Sequence, residues 1–166
     1  QGREEARAIV SEITAGGGMA DSFQFDVLNP QMPDADIFKD SGFPTHLYYF
    51  ATPLIFSGVK GRFSGPLFQR FCDFYVIGLI NTLNLFGLGR VKNIFCPSSI
   101  AVEDPPLNLG EYAAAKVAGE MLGIFLGKAH PELNVYTPRL PRLATDQTAN
   151  VAAVESGDPV PLMLVE

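Results

Sequence analysis

The sequence has no tryptophan, and only two of its 166 residues are cysteines and two are histidines. These four residues are scattered without the close spacing that metal ligands require, so the sequence predicts no metal site. Cys72 and Cys96 both lie in apolar surroundings. This favours buried free thiols, with a disulfide between them as the alternative, and free thiols are typical of the reducing cytoplasm, where we expect the protein.

Basic residues are also scarce. Twelve lysines and arginines stand against eighteen aspartates and glutamates, so the formal net charge is -6 at pH 7 and the isoelectric point is about 4.9. A nucleic-acid partner needs a basic surface, and none is expected here. The first residues are polar and charged, unlike the start of a secretory signal peptide.

No apolar run is long enough to predict a membrane span. The most apolar stretch, residues 74–88, has about fifteen residues, whereas a membrane-spanning helix needs roughly twenty. Asp73 precedes the stretch, and Asn81 and Asn84 interrupt it. We therefore expect a buried core helix and no membrane partner.

What the chain does contain is an alternation of helix and strand patterns. Apolar spacing predicts helices over residues 3–14, 68–85 and 109–128, and β-branched or aromatic runs predict strands over residues 21–27, 45–50, 91–96 and 133–137. Such alternation indicates a parallel sheet with right-handed crossovers. With 47% hydrophobic residues, the chain can bury a substantial core. We therefore predict an α/β fold, a Rossmann-like parallel sheet in three layers, as one domain over residues 1–166.

Three polar residues form the candidate catalytic group. Tyr112 and Lys116 lie four residues apart on a predicted helix, so they share one face, about one turn apart. A lysine cation beside a phenol favours the phenolate and lowers the tyrosine pKa from about 10. Ser99 follows a predicted strand, and its hydroxyl can hydrogen-bond the same reacting oxygen. This group suits proton transfer to or from a carbonyl or alcohol oxygen near neutral pH.

The predicted topology brings Ser99 to the functional edge of the sheet. In open parallel sheets, ligands bind outside the carboxyl ends of the strands. Ser99 and the loop that contains Thr52 both follow such strand ends. The strand order therefore supports a site here independently of any family.

Ser98-Ser99 at a strand end, thirteen residues before a Tyr-x-x-x-Lys helix, resembles the short-chain dehydrogenase/reductase family. The resemblance covers about residues 3–150. It implies NAD- or NADP-dependent reduction of a carbonyl or oxidation of an alcohol, in which the hydride chemistry belongs to the cofactor. It also implies that Tyr112 is the general acid/base, that Lys116 lowers its pKa and holds the nicotinamide ribose, and that Ser99 holds the substrate oxygen.

The resemblance also implies cofactor contacts. Asp26 stands where the family binds the adenine, with a loop-start residue as the alternative, and Thr52 is equally a turn residue. The implied cofactor-binding residues are Asp26, Val27, Ala51, Thr52, Tyr112, Lys116 and Pro141. Arg139 and Arg142 would bind a phosphate of NADP or of a CoA-type arm, or would be solvated charges.

Four features depart from the family pattern. The opening strand with its glycine-rich, phosphate-binding turn is absent from these residues. Residues 50–53 read Phe-Ala-Thr-Pro in place of Asn-Asn-Ala-Gly, Gly78 stands at the position of a structural asparagine, and Arg142 stands at the position of a glycine. Glu120, one turn beyond Lys116, is similar to a residue of the extended or atypical branches. It is interpreted here as a salt-bridge or cap partner.

The missing strands carry a structural expectation. In the family's sheet order, 3-2-1-4-5-6-7, two strands separate residues 21–27 from residues 45–50, which leaves a gap of roughly 14 Å. Such a gap leaves backbone groups unpaired. We therefore expect a piece of a longer protein, whose N-terminal segment supplies the first two strands, with a relocated first strand as the alternative.

Two other functions stay open at this stage. The departures favour a non-catalytic, degenerate reductase-like domain in a larger multidomain protein as the alternative, and an epimerase or dehydratase of the extended branch is a third reading. The substrate is a small carbonyl or alcohol compound, free or linked to a carrier or CoA. Specificity in this fold lies in residues 151–166, which the pattern leaves undetermined. The resemblance also implies homo-oligomers that pair through two long helices.

Overall fold

The structure, a computed structural model, describes residues 2–39 and 42–143. Its helices are α1 (Arg3–Ala15), α2 (Gly65–Cys72), α3 (Leu79–Phe86) and α4 (Gly110–Ala129), with 3-10 turns at Ala35–Phe38 and Ile100–Val102. Its strands are β1 (His46–Tyr48), β2 (Asn93–Phe95), β3 (Ser98–Ser99), β4 (Asn134–Tyr136) and β5 (Arg139–Leu140). The predicted helix 109–128 agrees with α4 within one residue at each end. Three of the four predicted strands are observed and are trimmed to three residues each, and the two-residue strands β3 and β5 were not predicted.

The strands form a parallel sheet, as the alternating pattern predicts. The order is β1-β2-β4, and β3 pairs with β5 in a short parallel extension. The backbone amide of Cys96 donates to the Tyr136 carbonyl at 2.9 Å, and that of Ser98 donates to the Pro138 carbonyl at 2.8 Å. These hydrogen bonds continue the β2–β4 pairing into β3–β5, and the short gap between the two sheets contains Pro97 and Pro138, neither of which has an N–H to donate.

One face of the sheet is covered by α3 and α4. The inward row Leu47, Ile94 and Val135 packs with apolar side chains of both helices, and Ile94 is fully buried. A Cβ on Gly123 would lie 3.1 Å from the Val135 side chain, so a glycine in α4 allows the helix to approach β4 closely. Among the described residues, the outward face keeps Tyr48 exposed. The described residues thus supply the sheet and one helical layer, which are two of the three predicted layers.

The predicted apolar helix 68–85 is one continuous helix, here called the α2–α3 rod, in which a π-helical turn separates α2 from α3. It begins earlier than predicted, because the Ser64 hydroxyl accepts the Leu67 amide as an N-cap and Pro66 occupies the first turn. Residues Asp73–Gly78 form a π-helical segment between α2 and α3. The rod ends at Gly87, whose φ of 89° suits glycine. Among the described residues, no helix is long and apolar enough to cross a bilayer.

The predicted strand over residues 21–27 is wrong. This segment is irregular and ends in a turn, and no described ladder joins it to β1. Its apolar side chains nevertheless reach the core, where the Phe25 ring lies 5.8 Å from the Phe86 ring. Alternating polarity can predict which face is buried, but a strand also needs a neighbour for its backbone groups. The relocated first strand is therefore not observed, and the predicted tail, residues 151–166, lies outside the described residues.

A tyrosine from the sheet enters the π turn. The Tyr49 hydroxyl donates to the Phe74 carbonyl at 2.7 Å, and a Cβ on Gly78 would lie 2.5 Å from that hydroxyl. Glycine at position 78, one of the departures from the family pattern, is thus required by the phenol packed against it. A π turn commonly marks such an insertion into a helix.

Gly78→Ala is expected to destabilise the fold by about 1–3 kcal/mol because the new methyl group overlaps the Tyr49 hydroxyl. In a Tyr49→Phe background the same change should cost much less, since the overlapping oxygen is gone. Urea unfolding of the two single variants and the double variant measures this coupling. Gly127→Ala is the control, because its Cβ meets nothing within 4 Å in α4. Equal penalties in both backgrounds would contradict the steric explanation.

Candidate active site

The two serines at the end of the central strand have different partners. The Ser98 hydroxyl is buried and donates to Glu120 Oε1 at 2.5 Å. The Ser99 hydroxyl accepts the Ala101 amide at 3.2 Å and lies close enough to the Tyr112 phenol to act on its pKa. The structure thus places Ser99, as predicted, next to the phenol, and assigns Ser98 to the support of the strand end.

Tyr112 lies in the first turn of α4 and is only 9% exposed. Its ring makes edge contacts with Phe71, at 5.7 Å between centroids, and with Tyr75, at 5.8 Å. Burial raises the pKa of Tyr112, and the Ser99 hydroxyl acts in the opposite direction without overcoming it. The lowered pKa predicted from the Tyr-x-x-x-Lys spacing is therefore wrong for the structure described here.

The predicted lowering of the Tyr112 pKa fails because the Lys116 side chain is directed away from the Tyr112 phenol. Its Nζ donates to the Pro97 carbonyl at 2.7 Å and lies 4.0 Å above the centre of the Tyr75 ring, but 5.8 Å from that of Tyr112. Burial lowers the pKa of Lys116 to about 8, against the opposing influence of Cys96 and Glu120. The ammonium group is held by a carbonyl and an aromatic face.

Tyr75 is the site residue that the sequence analysis missed. Its hydroxyl lies 2.6 Å from Thr52 Oγ1, and its ring separates that threonine from Lys116. Burial raises the pKa of Tyr75, and the Thr52 hydrogen bond acts against that shift. A tyrosine inside an otherwise apolar helix is a usable signal, because a buried phenol needs a hydrogen-bond partner.

The remaining predicted cofactor residues lie at the border of this group. Thr52 joins it through Tyr75, and Ala51 packs against the core beside the same strand end. Pro141 follows β5, directly after the Leu140 that pairs with Ser99. All three lie beyond carboxyl ends of strands, the edge where the topology predicts a ligand.

Asp26 and Val27 lie against the helical segment that includes Gly78 and Asn81. Asp26 Oδ1 accepts the Leu28 amide at 2.9 Å, a turn-stabilising contact that fits the loop-start alternative. The Val27 carbonyl accepts the Asn81 amide group at 3.2 Å, and this hydrogen bond ties the turn to the helix. A role of these residues at the adenine stays a prediction.

The two arginines have separate neighbours. Arg139 binds Glu120 through Nε, at 2.9 Å, and through NH2, at 2.7 Å, while its NH1 lies 3.3 Å from Glu103. This confirms Glu120 as a salt-bridge partner and directs Arg139 to carboxylates in place of a phosphate. The Arg142 guanidinium lies 5.5 Å from the centre of the Phe56 ring. Cys72 and Cys96 are free thiols, as predicted.

A second carboxylate was also missed by the sequence analysis. Glu111 is buried in the first turn of α4 and accepts the Ser64 amide at 2.5 Å. This hydrogen bond joins the start of the α2–α3 rod to the start of the helix that carries Tyr112. Within residues 2–39 and 42–143, no group of three histidines, cysteines, aspartates or glutamates is placed to hold a metal ion.

Comparison with solved structures identifies the fold. An oxidoreductase from E. coli, yciK, superimposes with a TM-score of 0.79 at 18% identity, over 98% of this chain and 72% of that one. A short chain dehydrogenase from Salmonella enterica gives a TM-score of 0.77 at 14% identity, over 98% and 74%. An alcohol dehydrogenase from Thermococcus sibiricus, complexed with 5-hydroxy-NADP, gives 0.70 at 16% identity, over 94% and 67%.

These likenesses show that the chain has the parallel-sheet α/β fold of short-chain dehydrogenases, as the sequence resemblance predicts. The chain spans 67% to 74% of the length of these three structures, and it spans 56% of the length of FolM alternative dihydrofolate reductase 1 from Brucella suis. No protein-family model matches the chain, and no curated protein sequence matches it.

Replacing Lys116 by methionine tests whether the ammonium is buried. Because the pKa of Lys116 is about 8 in the fold and 10.5 as a free group, the unfolded chain binds more protons between these pH values, and stability due to this residue rises with pH there. The free energy of unfolding of wild type minus that of Lys116→Met should thus increase by on the order of 2–3 kcal/mol from pH 8 to 10.5.

Denaturant unfolding at several pH values measures this difference. Lys128→Met is the control, since it removes the same charge from an exposed position in the last turn of α4. A difference that stays flat for Lys116→Met, as for the control, would show that the ammonium is solvated.

Proposed function

We propose that the chain carries the catalytic half of an NAD(P)-dependent oxidoreductase that reduces a carbonyl or oxidises an alcohol. The observation that supports this most directly is the meeting of Ser99, Tyr112 and Lys116 at the carboxyl edge of the sheet. The fold is shared with dehydrogenases, one of which was solved with an NADP derivative. Metal-independent proton transfer by hydroxyl and ammonium groups fits this set.

The residues present fit one end of a nicotinamide cofactor. Thr52 and Tyr112 offer hydroxyls and Lys116 offers an ammonium at one strand edge, a donor set suited to ribose oxygens. When bound, the cofactor supplies or accepts the hydride. Pyrophosphate binding commonly uses a tight glycine-rich turn that leads from a strand into a helix. In the described residues, the segment from β1 to α2 is instead long and irregular, with Gly58 and Gly61 spread along it.

In the reduction direction, the Tyr112 phenol acts as the acid. Its raised pKa keeps the proton on the oxygen near neutral pH, so it is ready to protonate the carbonyl oxygen as negative charge develops there. Ser99 hydrogen-bonds that oxygen and the phenol together and fixes the distance between them. For the Lys116 ammonium to stabilise the phenolate that remains, it exchanges the Pro97 carbonyl for the phenolate oxygen.

The oxidation direction makes the opposite demand on Tyr112. The phenol must first lose its proton, which burial opposes. We therefore propose that the site favours carbonyl reduction at neutral pH and alcohol oxidation at alkaline pH. The substrate is proposed to be a small carbonyl or alcohol compound. A carrier- or CoA-linked form, the choice between NAD and NADP, the cytoplasmic location and pairing with a second copy stay predictions.

We also propose that residues before Gln1 complete the domain with two further strands and the phosphate-binding turn. Two facts support this proposal: β1 is an edge strand of the described sheet, and the chain covers only part of the solved dehydrogenases. An edge strand offers unpaired N–H and C=O groups to a neighbour. Under this proposal, the missing strands pair with β1.

One observation favours the non-catalytic alternative. Lys116 is turned towards the Pro97 carbonyl and the Tyr75 ring, and Thr52 is engaged by the Tyr75 hydroxyl. These contacts occupy groups that a cofactor would use. A degenerate domain that keeps the fold for a structural or binding role would show this arrangement permanently, whereas an enzyme would exchange the contacts for the cofactor.

Titration of the full-length protein with NADPH and NADH separates the two functions. If the protein is an enzyme, binding is expected to enhance the fluorescence of the reduced cofactor. This enhancement should saturate at micromolar to millimolar cofactor concentrations, because KM values of enzymes fall in that range. Absence of binding at millimolar concentrations of both cofactors would contradict the enzymatic function.

Tyr112→Phe removes the proposed acid. Turnover of a small carbonyl substrate is expected to fall by about a hundredfold or more, since general acid catalysis contributes ~10²–10⁴-fold, while cofactor affinity stays within about threefold. Tyr136→Phe is the control, because that phenol is exposed on the outward face of the sheet. An unchanged rate for Tyr112→Phe would contradict the assignment of the acid.

A further inference from the structure

We propose that Glu120 is a positioning residue for the active site, a carboxylate clamp that holds the strand end at Ser98 in the place where Lys116 and Tyr112 are used. This inference rests on the proposed oxidoreductase function. It assigns to Glu120 a task beyond that of a surface ion pair, and it explains why two strands and a helix meet at this one side chain.

Three hydrogen bonds converge on the Glu120 carboxylate. Oε1 accepts from the Ser98 hydroxyl at 2.5 Å and from Arg139 Nε at 2.9 Å, and Oε2 accepts from Arg139 NH2 at 2.7 Å. The side chain of Glu120 is 14% exposed, whereas that of Arg139 is 42% exposed. Since Ser98 and Arg139 are also register partners in β3 and β5, the carboxylate ties this strand pair to α4.

Ser98, the residue that Glu120 holds, lies between one neighbour that binds Lys116 and another that lies beside Tyr112. Pro97, before Ser98, offers the carbonyl that accepts from the Lys116 ammonium at 2.7 Å. Ser99, after it, lies next to the Tyr112 phenol and acts to lower its pKa. A shift of the backbone at Ser98 therefore moves both contacts together, and positioning errors of this kind slow catalysis strongly.

Helix α4 presents Glu120 and Lys116 on the same face. Glu120 and Lys116 are four residues apart on α4, so they share one face. The same helix that presents the ammonium to Pro97 thus presents the carboxylate to Ser98. An exposed salt bridge alone contributes little to stability, but this carboxylate also satisfies a buried hydroxyl, which would otherwise lose its acceptor.

The charge of Glu120 also acts on the pKa of Lys116. Glu120 is the nearby carboxylate that acts to raise the pKa of Lys116, together with Cys96 and against burial. The guanidinium of Arg139 holds the pKa of Glu120 below its usual range, and the Ser98 hydroxyl and the Lys116 charge act in the same direction. Glu103 faces the network only through Arg139. The carboxylate thus stays ionised and helps to keep the lysine charged.

Glu120→Gln tests the clamp with little change in shape. It keeps one oxygen for Ser98 but loses the charge and the two-point contact with Arg139. We expect kcat to fall about tenfold with KM changed less than threefold, and the alkaline limb of the kcat–pH profile to move to lower pH. In isotope-labelled protein, the Lys116 ammonium should titrate at lower pH than in the wild type.

Glu103→Gln is the matched control, because Glu103 contacts the same Arg139 at 3.3 Å and has no contact with Ser98 among the described hydrogen bonds. It should leave kcat and the Lys116 titration as in the wild type. Ser98→Ala provides a second variant that keeps the charge: kcat should fall severalfold without a shift of the alkaline limb. Circular dichroism verifies that each variant is folded.

The proposal is overturned if Glu120→Gln leaves kcat and the Lys116 titration unchanged, or if Glu103→Gln reproduces its effects. It is also overturned if Glu120→Gln unfolds and Ser98→Ala retains wild-type kcat. A wild-type protein that neither binds NAD(P)H nor turns over refutes the proposed function instead. In that event, the Lys116 titration and the hydrogen-exchange protection of the Ser98 amide, which donates to the Pro138 carbonyl at 2.8 Å, still decide whether Glu120 holds the strand end.

Discussion

The constraint on which the site depends is a buried ammonium group. Lys116 lies among aromatic rings on the inner side of α4, and removing its charge from water costs free energy that the surroundings must offset. They do so with the Pro97 carbonyl at 2.7 Å, with the face of the Tyr75 ring at 4.0 Å and with the negative charge of Glu120. Pro97 lies between β2 and β3, and its carbonyl is the one that the ammonium binds.

The aromatic residues of the α2–α3 rod adapt the fold to this arrangement. Tyr75 lies below the ammonium and reaches the Thr52 loop, while Tyr49 from the sheet donates to the carbonyl of Phe74 inside the π turn. The phenol of Tyr49 occupies the space where a side chain at Gly78 would lie. Glycine at position 78 is therefore linked to the Tyr49 phenol. Together, the phenols of Tyr49 and Tyr75 supply polar contacts along the α2–α3 rod.

The fold was predictable from the sequence to the extent that its elements are local. Apolar spacing predicted α4 within a residue at each end, and the alternation of elements predicted the parallel sheet. The strand over residues 21–27 failed because an alternating pattern reports the burial of one face and not the presence of a hydrogen-bonding neighbour. For the candidate site, the sequence predicted that Ser99, Tyr112 and Lys116 lie near one strand end, and their catalytic roles stay predictions. The sequence did not predict Tyr75 beside them, because this residue resembles ordinary core in an apolar helix.

The sequence by itself determined that Tyr112 and Lys116 share a helix face and that Ser99 follows a strand end, since both facts follow from spacing and order along the chain. The directions in which their pKa values shift follow from the tertiary structure alone. Burial raises the pKa of Tyr112 and lowers that of Lys116, and burial depends on elements distant in sequence. For the same reason, the structure alone paired Glu120 with Ser98 and Arg139, because hydrogen-bond partners on other strands leave no periodic trace in the chain.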